Sequence, residues 1–121
     1  MKRSLCLIAG LFLLALTPAL QAHSEFLRSI PEKDTVLKAA PNEIKIWFSE
    51  PIKVALSTIE VRDASGSQVD LKNLHPDKEE PRLVRLSLSR HLAPGVYQVT
   101  WNAVAQDLHV GKGSFTFRVS P

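Results

Sequence analysis

Apolar and polar residues alternate along several short segments of the chain, and each of these segments ends at turn residues. In the clearest one, Ile44, Ile46 and Phe48 alternate with Lys45 and Trp47. The same period of two recurs in segments centred on residues 59–61, 84–88, 97–103 and 115–119. This period is typical of strands that bury one face against a core. No helical period of useful length follows residue 22, so the pattern predicts an all-β domain.

The segments before and between these strands are less regular. Residues 23–29 are predicted to form a first strand, with Phe26 and Leu27 toward the core, and Val36–Leu37 is a short apolar anchor. Residues 73–81 are mostly polar and show no periodicity. We therefore expect a mobile surface loop over residues 73–81.

Residues 92–97 read Leu-Ala-Pro-Gly-Val-Tyr, which is more specific than an ordinary turn. A Pro-Gly turn between a Leu and a strand-initiating Tyr is typical of the tyrosine corner of immunoglobulin-like sandwiches, where the hydroxyl bonds to upstream backbone. With about seven strands and no disulfide, the sequence predicts one Ig-like Greek-key sandwich or a closely related barrel.

The N-terminal segment does not resemble the rest of the chain. Residues 2–3 are basic, residues 5–16 are almost entirely apolar, and a small residue, Ala22, follows a short exit segment. This order predicts a secretory signal that is cleaved after Ala22. Cleavage after Ala19 is the first alternative, although Pro18 lies close to that bond. An uncleaved anchor is the second, although the apolar run is short for a membrane span.

Removal of residues 1–22 would leave a single domain, residues 23–121, with a different composition. The chain has 15 basic and 12 acidic residues and a formal net charge of +3; loss of two basic residues leaves 13 and a net charge of +1. The only cysteine, Cys6, and the only methionine, Met1, would be lost as well. A nearly neutral domain gives no support for nucleic-acid binding, and an exported domain without a disulfide depends on its apolar core.

Two places in the chain offer metal-binding groups. Cleavage after Ala22 would make His23 the first residue, so that its amine and imidazole could chelate one ion. Asp107 and His109 are separated by one residue, and residues i and i+2 of an extended segment project to the same side. An amine, two imidazoles and a carboxylate suit tetragonal Cu(II), the most tightly bound divalent first-row metal. Zinc could use the same donors in a tetrahedral arrangement.

Other polar and aromatic residues receive more limited predictions. Glu50, at the end of a strand, is expected beside the same site, where it would orient a ligand imidazole or a bound water. His75 and His91 are assigned to the surface, and the two tryptophans to the core or its edge. The sequence has no nucleophile elbow, phosphate-binding glycine loop or suitably spaced carboxylate pair, which argues against hydrolase or nucleotide chemistry.

These residues occur together in a known family. The chain after residue 22 resembles the periplasmic copper-resistance protein C (CopC) family, including its short YobA-like members, over essentially its whole length. The matching features are His23, Ser29-Ile30-Pro31, Ala40-Pro41, Phe48-Ser49-Glu50-Pro51, the segment 92–101, Asp107-x-His109 and the segment 113–117.

The resemblance implies a cupredoxin-like or Ig-like domain that binds one Cu(II) ion through the amine and ring of His23, through Asp107 and through His109, with Glu50 beside the ion. It implies a periplasmic, monomeric protein, not an enzyme and without a small-molecule substrate, that sequesters or carries copper for resistance or homeostasis. A CopD-type inner-membrane copper transporter is the implied recipient. Some members also have a methionine-rich Cu(I) site, which a domain without methionine would lack.

Two other functions remain open at this point. Copper oxygenases also use an N-terminal histidine chelate on an Ig-like sandwich, although Asp107 in the copper plane disfavours the open position that their chemistry needs. A metal-free Ig-like binding or chaperone module would instead use its edge strands. The chain also departs from the family at two positions, with Asp34 where glycine is frequent and Leu108 where a small residue is more frequent.

Overall fold

Two four-stranded sheets face each other in the computed structural model, which describes Gly10 and residues 24–121. The strands in chain order are β1 (Phe26–Ile30), β2 (Val36–Leu37), β3 (Glu43–Phe48), β4 (Thr58–Arg62), β5 (His75–Pro76), β6 (Leu83–Ser87), β7 (Gly95–Val104) and β8 (Val110–Val119). One sheet has the order β1-β3-β6-β5 and the other β2-β8-β7-β4. The predicted all-β sandwich is therefore confirmed, with eight strands instead of about seven because β2 and β5 are short additions at sheet edges.

The core lies between the sheets, where the alternating apolar residues meet. Ile44, Ile46 and Phe48 of β3 are almost completely buried, and Val99 and Phe117 face them from the opposite sheet. Each such side chain contributes about 1.5–3 kcal/mol on burial. In the absence of any disulfide within residues 24–121, this apolar layer supplies most of the stability of the domain.

The tyrosine corner forms as predicted. The Tyr97 hydroxyl donates a hydrogen bond to the carbonyl oxygen of Ala93, and the ring of Tyr97 stacks on Phe117 with ring centroids 5.4 Å apart. Burial of the phenol raises the pKa of Tyr97. The corner fixes the start of β7, the strand that leads to the candidate metal site.

The first strand differs from the prediction at one residue. The pairing of β1 with β3 shifts register between Phe26 and Arg28, and a bulge of this kind changes the side to which the extra residue points. Phe26 packs against the core as predicted, whereas Leu27 is 55% exposed. The prediction that Leu27 contacts the core is wrong. The predicted start of this strand, residue 23, lies outside the described residues.

Both tryptophans are buried, as predicted, although they occupy different faces. Trp101 belongs to the core between the sheets. Trp47 points to the outer face of its sheet, where the Arg28 guanidinium lies over its ring, 3.7 Å from the centroid. A stacked guanidinium covers an aromatic face and is attracted to it. Trp47 is therefore only 8% exposed although it lies outside the core.

Residues 73–81 have more structure than their composition predicts. His75 and Pro76 form the edge strand β5, which pairs with β6. After it, Asp77 accepts a hydrogen bond from Arg85 Nε at 2.7 Å, and Arg85 also donates to Glu43 at 2.7 Å. The predicted position of this segment on the surface is confirmed, but the prediction that it lacks regular structure is wrong at His75–Pro76. Backbone pairing and charged contacts hold the segment, and apolar periodicity reports neither.

These contacts predict a stability change at low pH. The hydrogen bond from Arg85, together with the N–H groups of Glu79 and Glu80, lowers the pKa of Asp77 from 3.8 to about 2. Ionised Asp77 therefore stabilises the native state fully above about pH 3.8, and this stabilisation is lost as the pH falls toward about 2. We expect Asp77→Asn to lower the melting temperature near neutral pH and the difference from wild type to disappear over that window. Thermal unfolding followed by circular dichroism tests this, and a difference that stays constant with pH would contradict it.

No helix within residues 24–121 is long and apolar enough to cross a lipid bilayer. The predicted signal segment, residues 1–22, lies outside the described residues except for Gly10. Its cleavage after Ala22 therefore stays a prediction.

Candidate metal site

The loop between β7 and β8 is a tight turn closed by backbone hydrogen bonds. The N–H of Ala105 donates to the carbonyl oxygen of His109, and the N–H of Leu108 donates to the carbonyl oxygen of Ala105, both at 2.9 Å. Leu108 has φ 70°, in the left-handed region that reverses the chain. The turn brings Asp107 and His109 close together at its tip.

Asp107 and His109, the two ligands predicted in this loop, contact each other directly. Asp107 Oδ2 lies 2.8 Å from Nδ1 of the His109 ring. The other carboxylate oxygen, Oδ1, accepts the backbone N–H of His109 at 3.1 Å. The carboxylate thus orients the ring through Nδ1, and the second ring nitrogen, Nε2, points away from Asp107. Carboxylates that orient imidazoles in this way are usual at metal sites.

Both departures from the family pattern lie at positive φ. Asp34 has φ 61°, and Asp enters this region more readily than most residues. Leu108 has no such preference, and its conformation costs about 1–2 kcal/mol. The Leu108 side chain is 62% exposed, so it does not separate Asp107 from His109.

The beginning of the described chain lies against the segment after β3. The Ser24 hydroxyl donates to the carbonyl oxygen of Glu50 at 2.6 Å. The N–H of Glu25 donates to the Ser49 hydroxyl at 2.8 Å, and the N–H of Ser49 donates to the carbonyl oxygen of Glu25 at 2.7 Å. These three hydrogen bonds hold residues 24–25 on residues 49–50. Ser24 is consequently only 4% exposed.

The same segment continues to the end of β7. The N–H of Lys53 donates to the carbonyl oxygen of Val104 at 2.8 Å, and Ile52 forms an isolated bridge with Ala105. Gly111, near the start of β8, approaches the N-terminal end of this arrangement: a methyl group placed on it would lie 3.1 Å from the carbonyl oxygen of Ser24. Residues 24–25, 49–53 and 104–111 therefore meet at one end of the sandwich.

Three of the four predicted site residues belong to the described part of the chain. Asp107 and His109 are brought together, and Glu50 lies at the same end with its backbone carbonyl bonded to Ser24 and its side chain exposed. His23 directly precedes Ser24 in the sequence and lies outside the described residues. Within the described part of the chain, no group of three or more His, Cys, Asp or Glu side chains is arranged to hold a metal ion.

The two remaining histidines are on the surface, as predicted. His75 and His91 are both exposed. Nδ1 of His75 lies 2.7 Å from the backbone carbonyl oxygen of Asn73, so that nitrogen is engaged locally. His75 lies in β5, at an edge of the other sheet, and His91 precedes β7, at the opposite end of that strand from the loop between β7 and β8.

A family model described as the CopC domain matches residues 26–120, which is nearly all of the described chain. The chain belongs to the CopC family. The copper transport protein CutJ of Bacillus subtilis is 31% identical over 113 residues, and the match covers 93% of this chain and 21% of CutJ. Protein YobA of Escherichia coli is 27% identical over 103 residues, covering 85% of this chain and 83% of YobA. Copper resistance protein C of Pseudomonas syringae is 29% identical over 116 residues, covering 92% and 89%.

Solved structures of CopC proteins have the same fold. The crystal structure of CopC from Methylosinus trichosporium OB3b superposes with a TM-score of 0.75 at 27% identity, covering 82% of this chain and 95% of that one. PcoC, a methionine-rich copper resistance protein from Escherichia coli, gives a TM-score of 0.72 at 31% identity, covering 82% and 100%. This CopC chain has a single methionine, Met1, so it shares the fold of PcoC without its methionine content.

Three residues of this CopC domain that lie beside the candidate site were not predicted from the sequence. Ser24 and Ser49 act through hydroxyl-to-backbone hydrogen bonds, and Gly111 acts by leaving room for the Ser24 carbonyl. Ser24 and Ser49 are next to predicted site residues in the sequence, and Gly111 is two residues from His109. That proximity was the one available signal, because a hydroxyl that bonds to distant backbone leaves no pattern in the sequence.

Proposed function

We propose that this CopC domain is a periplasmic copper-binding protein that holds one Cu(II) ion and sequesters or carries it. The proposed ligands are the amine and ring of His23, the carboxylate of Asp107 and the ring of His109. One observation carries this proposal: Ser24, the residue after His23, is held at the same end of the sandwich as the Asp107–His109 pair. The copper-related names of the relatives, CutJ and the copper resistance proteins, support the choice of metal.

The donor set suits Cu(II) for chemical reasons. An amine and an imidazole on one residue form a chelate ring, and adding a carboxylate and a second imidazole makes a mixed set of nitrogen and oxygen donors, which Cu(II) takes in tetragonal geometry. Asp107, which contacts the His109 ring in this structure, would turn from that ring toward the ion to act as a ligand. Glu50 is proposed to hydrogen-bond a ligand or a bound water from beside the site.

Export and delivery complete the proposal. We propose that residues 1–22 direct secretion and are removed, because only cleavage before His23 creates the free amine. We also propose that the protein gives its copper to a CopD-type membrane transporter. The similarity to CutJ supports this partner, because the chain spans about one fifth of that copper transport protein. The part of CutJ that resembles this chain is therefore a small portion of a protein that is named for copper transport.

Isothermal titration of Cu(II) into protein that begins at His23 tests the proposal. We expect one tight site, and we expect His109→Ala to weaken it on the order of 100-fold, since direct ligands should contribute at least as much as the 10–100-fold typical of outer-shell partners. His75→Ala, which removes a histidine far from the loop between β7 and β8, is the matched control and should bind as wild type does. Equal affinity of the His109→Ala variant and wild type would overturn the proposal.

A further inference from the structure

We infer that Ser24, Ser49 and Gly111 are positioning residues that hold the N-terminal donor residue against the Asp107–His109 loop. This inference rests on the proposed function, because it concerns the same copper site. None of the three residues offers a metal-binding group of the proposed set. Ser49 and Gly111 act on the backbone of residues 24–25, and Ser24 holds the same segment through its hydrogen bond to the Glu50 carbonyl.

A terminal residue is normally a poor place for a metal ligand. The first residues of a domain are usually poorly ordered unless hydrogen bonds hold them, and ordering a backbone residue costs conformational entropy. If that ordering happened only on copper binding, the cost would reduce the affinity. A terminus that is ordered in advance avoids this cost, which is the general benefit of preorganisation.

Hydrogen bonds at residues 24–25 supply this order. Ser24 donates through its hydroxyl to the Glu50 carbonyl at 2.6 Å, and Glu25 exchanges two hydrogen bonds with Ser49 at 2.8 and 2.7 Å. Two of the three bonds use a serine hydroxyl. They also explain why Ser24, close to the end of the described chain, is buried to 96%.

Gly111 acts on the same residue from the opposite side. A methyl group at its Cα would lie 3.1 Å from the Ser24 carbonyl oxygen and 3.9 Å from that of Ala103. The nearer contact is with backbone, which cannot rotate away as a flexible side chain could. Because Gly111 is two residues from His109 in the sequence, its close approach to Ser24 sets the spacing between the two halves of the proposed site.

The remaining contacts close a ring of three segments. Lys53 and Ile52 tie the segment after Glu50 to Val104 and Ala105 at the end of β7. Residues 24–25 thus approach the start of β8 directly, at Gly111, and are linked to the end of β7 through residues 49–53. A change at one link should therefore shift the terminus relative to the loop while the sandwich stays folded.

Two variants perturb this arrangement in opposite ways. Ser24→Ala removes a hydrogen bond and loosens residue 24, whereas Gly111→Ala inserts a methyl group and displaces it. We expect each to raise the dissociation constant for Cu(II) about tenfold, within the range seen for groups that orient ligands. We also expect Gly111→Ala to change the electron paramagnetic resonance spectrum of bound Cu(II). Ser114→Ala removes an exposed hydroxyl from β8, the strand that contains Gly111, and should match wild type in both affinity and spectrum.

The experiment uses protein that begins at His23, with affinity measured by competition against a chelator and stability measured without copper. If Ser24→Ala and Gly111→Ala lower only the melting temperature and leave affinity and spectrum unchanged, the residues are merely structural and the inference is overturned. If wild type itself has no copper site that depends on His109, the proposed function is wrong, and the inference, which rests on it, is wrong as well. Weaker binding with an altered spectrum, at a melting temperature close to that of wild type, supports the positioning role.

Discussion

A protein that begins at Leu20 should bind Cu(II) on the order of 100-fold more weakly than one that begins at His23. Cleavage after Ala19 would leave three residues ahead of His23, so that its nitrogen would be part of a peptide bond. An amide nitrogen lacks the basic lone pair of an amine, and metal binding requires a donor that is available without its proton. The proposed site would lose one donor and the chelate ring together.

Two further proteins make this comparison decisive. A chain that begins at residue 23 with His23→Ala keeps an amine and loses the ring, so it should also bind weakly. A chain that begins at His23 and carries three added residues after Pro121 controls for length and should bind as wild type does. Calorimetry or competition with a chelator gives the affinities, and mass spectrometry of the exported protein gives its natural first residue. Tight binding by the protein that begins at Leu20 would show that the amine is not a ligand.

The sequence allowed good prediction of the fold wherever burial alone decides the conformation. The alternation in β3 and β7 placed Ile44, Phe48 and Val99 in the core, and the segment ending at Tyr97 predicted the corner that forms there. The errors occurred where other forces act. Leu27 turns outward because of a bulge. A bulge changes the direction of a side chain, but the residue composition of the strand does not reveal it.

The candidate site could be predicted in part. Asp107 and His109 are in direct contact, as their spacing of two residues predicted. The prediction assumed an extended segment, however, and that is wrong, because a turn with Leu108 at φ 70° brings them together. The approach of Ser24 to Gly111 joins residues that are far apart in the chain. It depends on how the two sheets pack and on the path between β3 and β4, and a single sequence reports neither.

The aromatic cluster beneath residues 24–25 connects the site to the core. Phe26 stacks on Trp101 with ring centroids 4.9 Å apart, and Trp101 in turn contacts Phe115. Phe26 is two residues from Ser24, so the position of the Trp101 ring affects where residues 24–25 lie. Any change that moves this ring should affect both the stability of the domain and the proposed copper site.

Gly113→Ala is a substitution expected to move that ring. Gly113 lies opposite Trp101 in the pairing of β7 with β8, and a methyl group on it would lie 2.2 Å from Cζ2 of the indole and 2.7 Å from Cε2. Trp101 cannot yield easily because Phe26 and Phe115 pack against it. Overpacking of this kind typically costs 1–3 kcal/mol, and we expect a loss of about 3 kcal/mol in the free energy of unfolding, measured with urea and circular dichroism.

Both the sign and the size of the change in unfolding free energy test whether the added methyl group clashes with the indole ring. Replacing glycine with alanine in a strand should by itself stabilise the protein by about 0.5–1 kcal/mol, because alanine loses less backbone freedom on folding. A stabilised Gly113→Ala variant would therefore refute the proposed clash. Trp101→Phe removes the indole ring that the methyl group meets, so the cost of Gly113→Ala should be smaller in that background by about 1 kcal/mol or more, as expected for residues in contact. Ser114→Ala, on the exposed side of the same strand, should change stability by no more than about 0.5 kcal/mol.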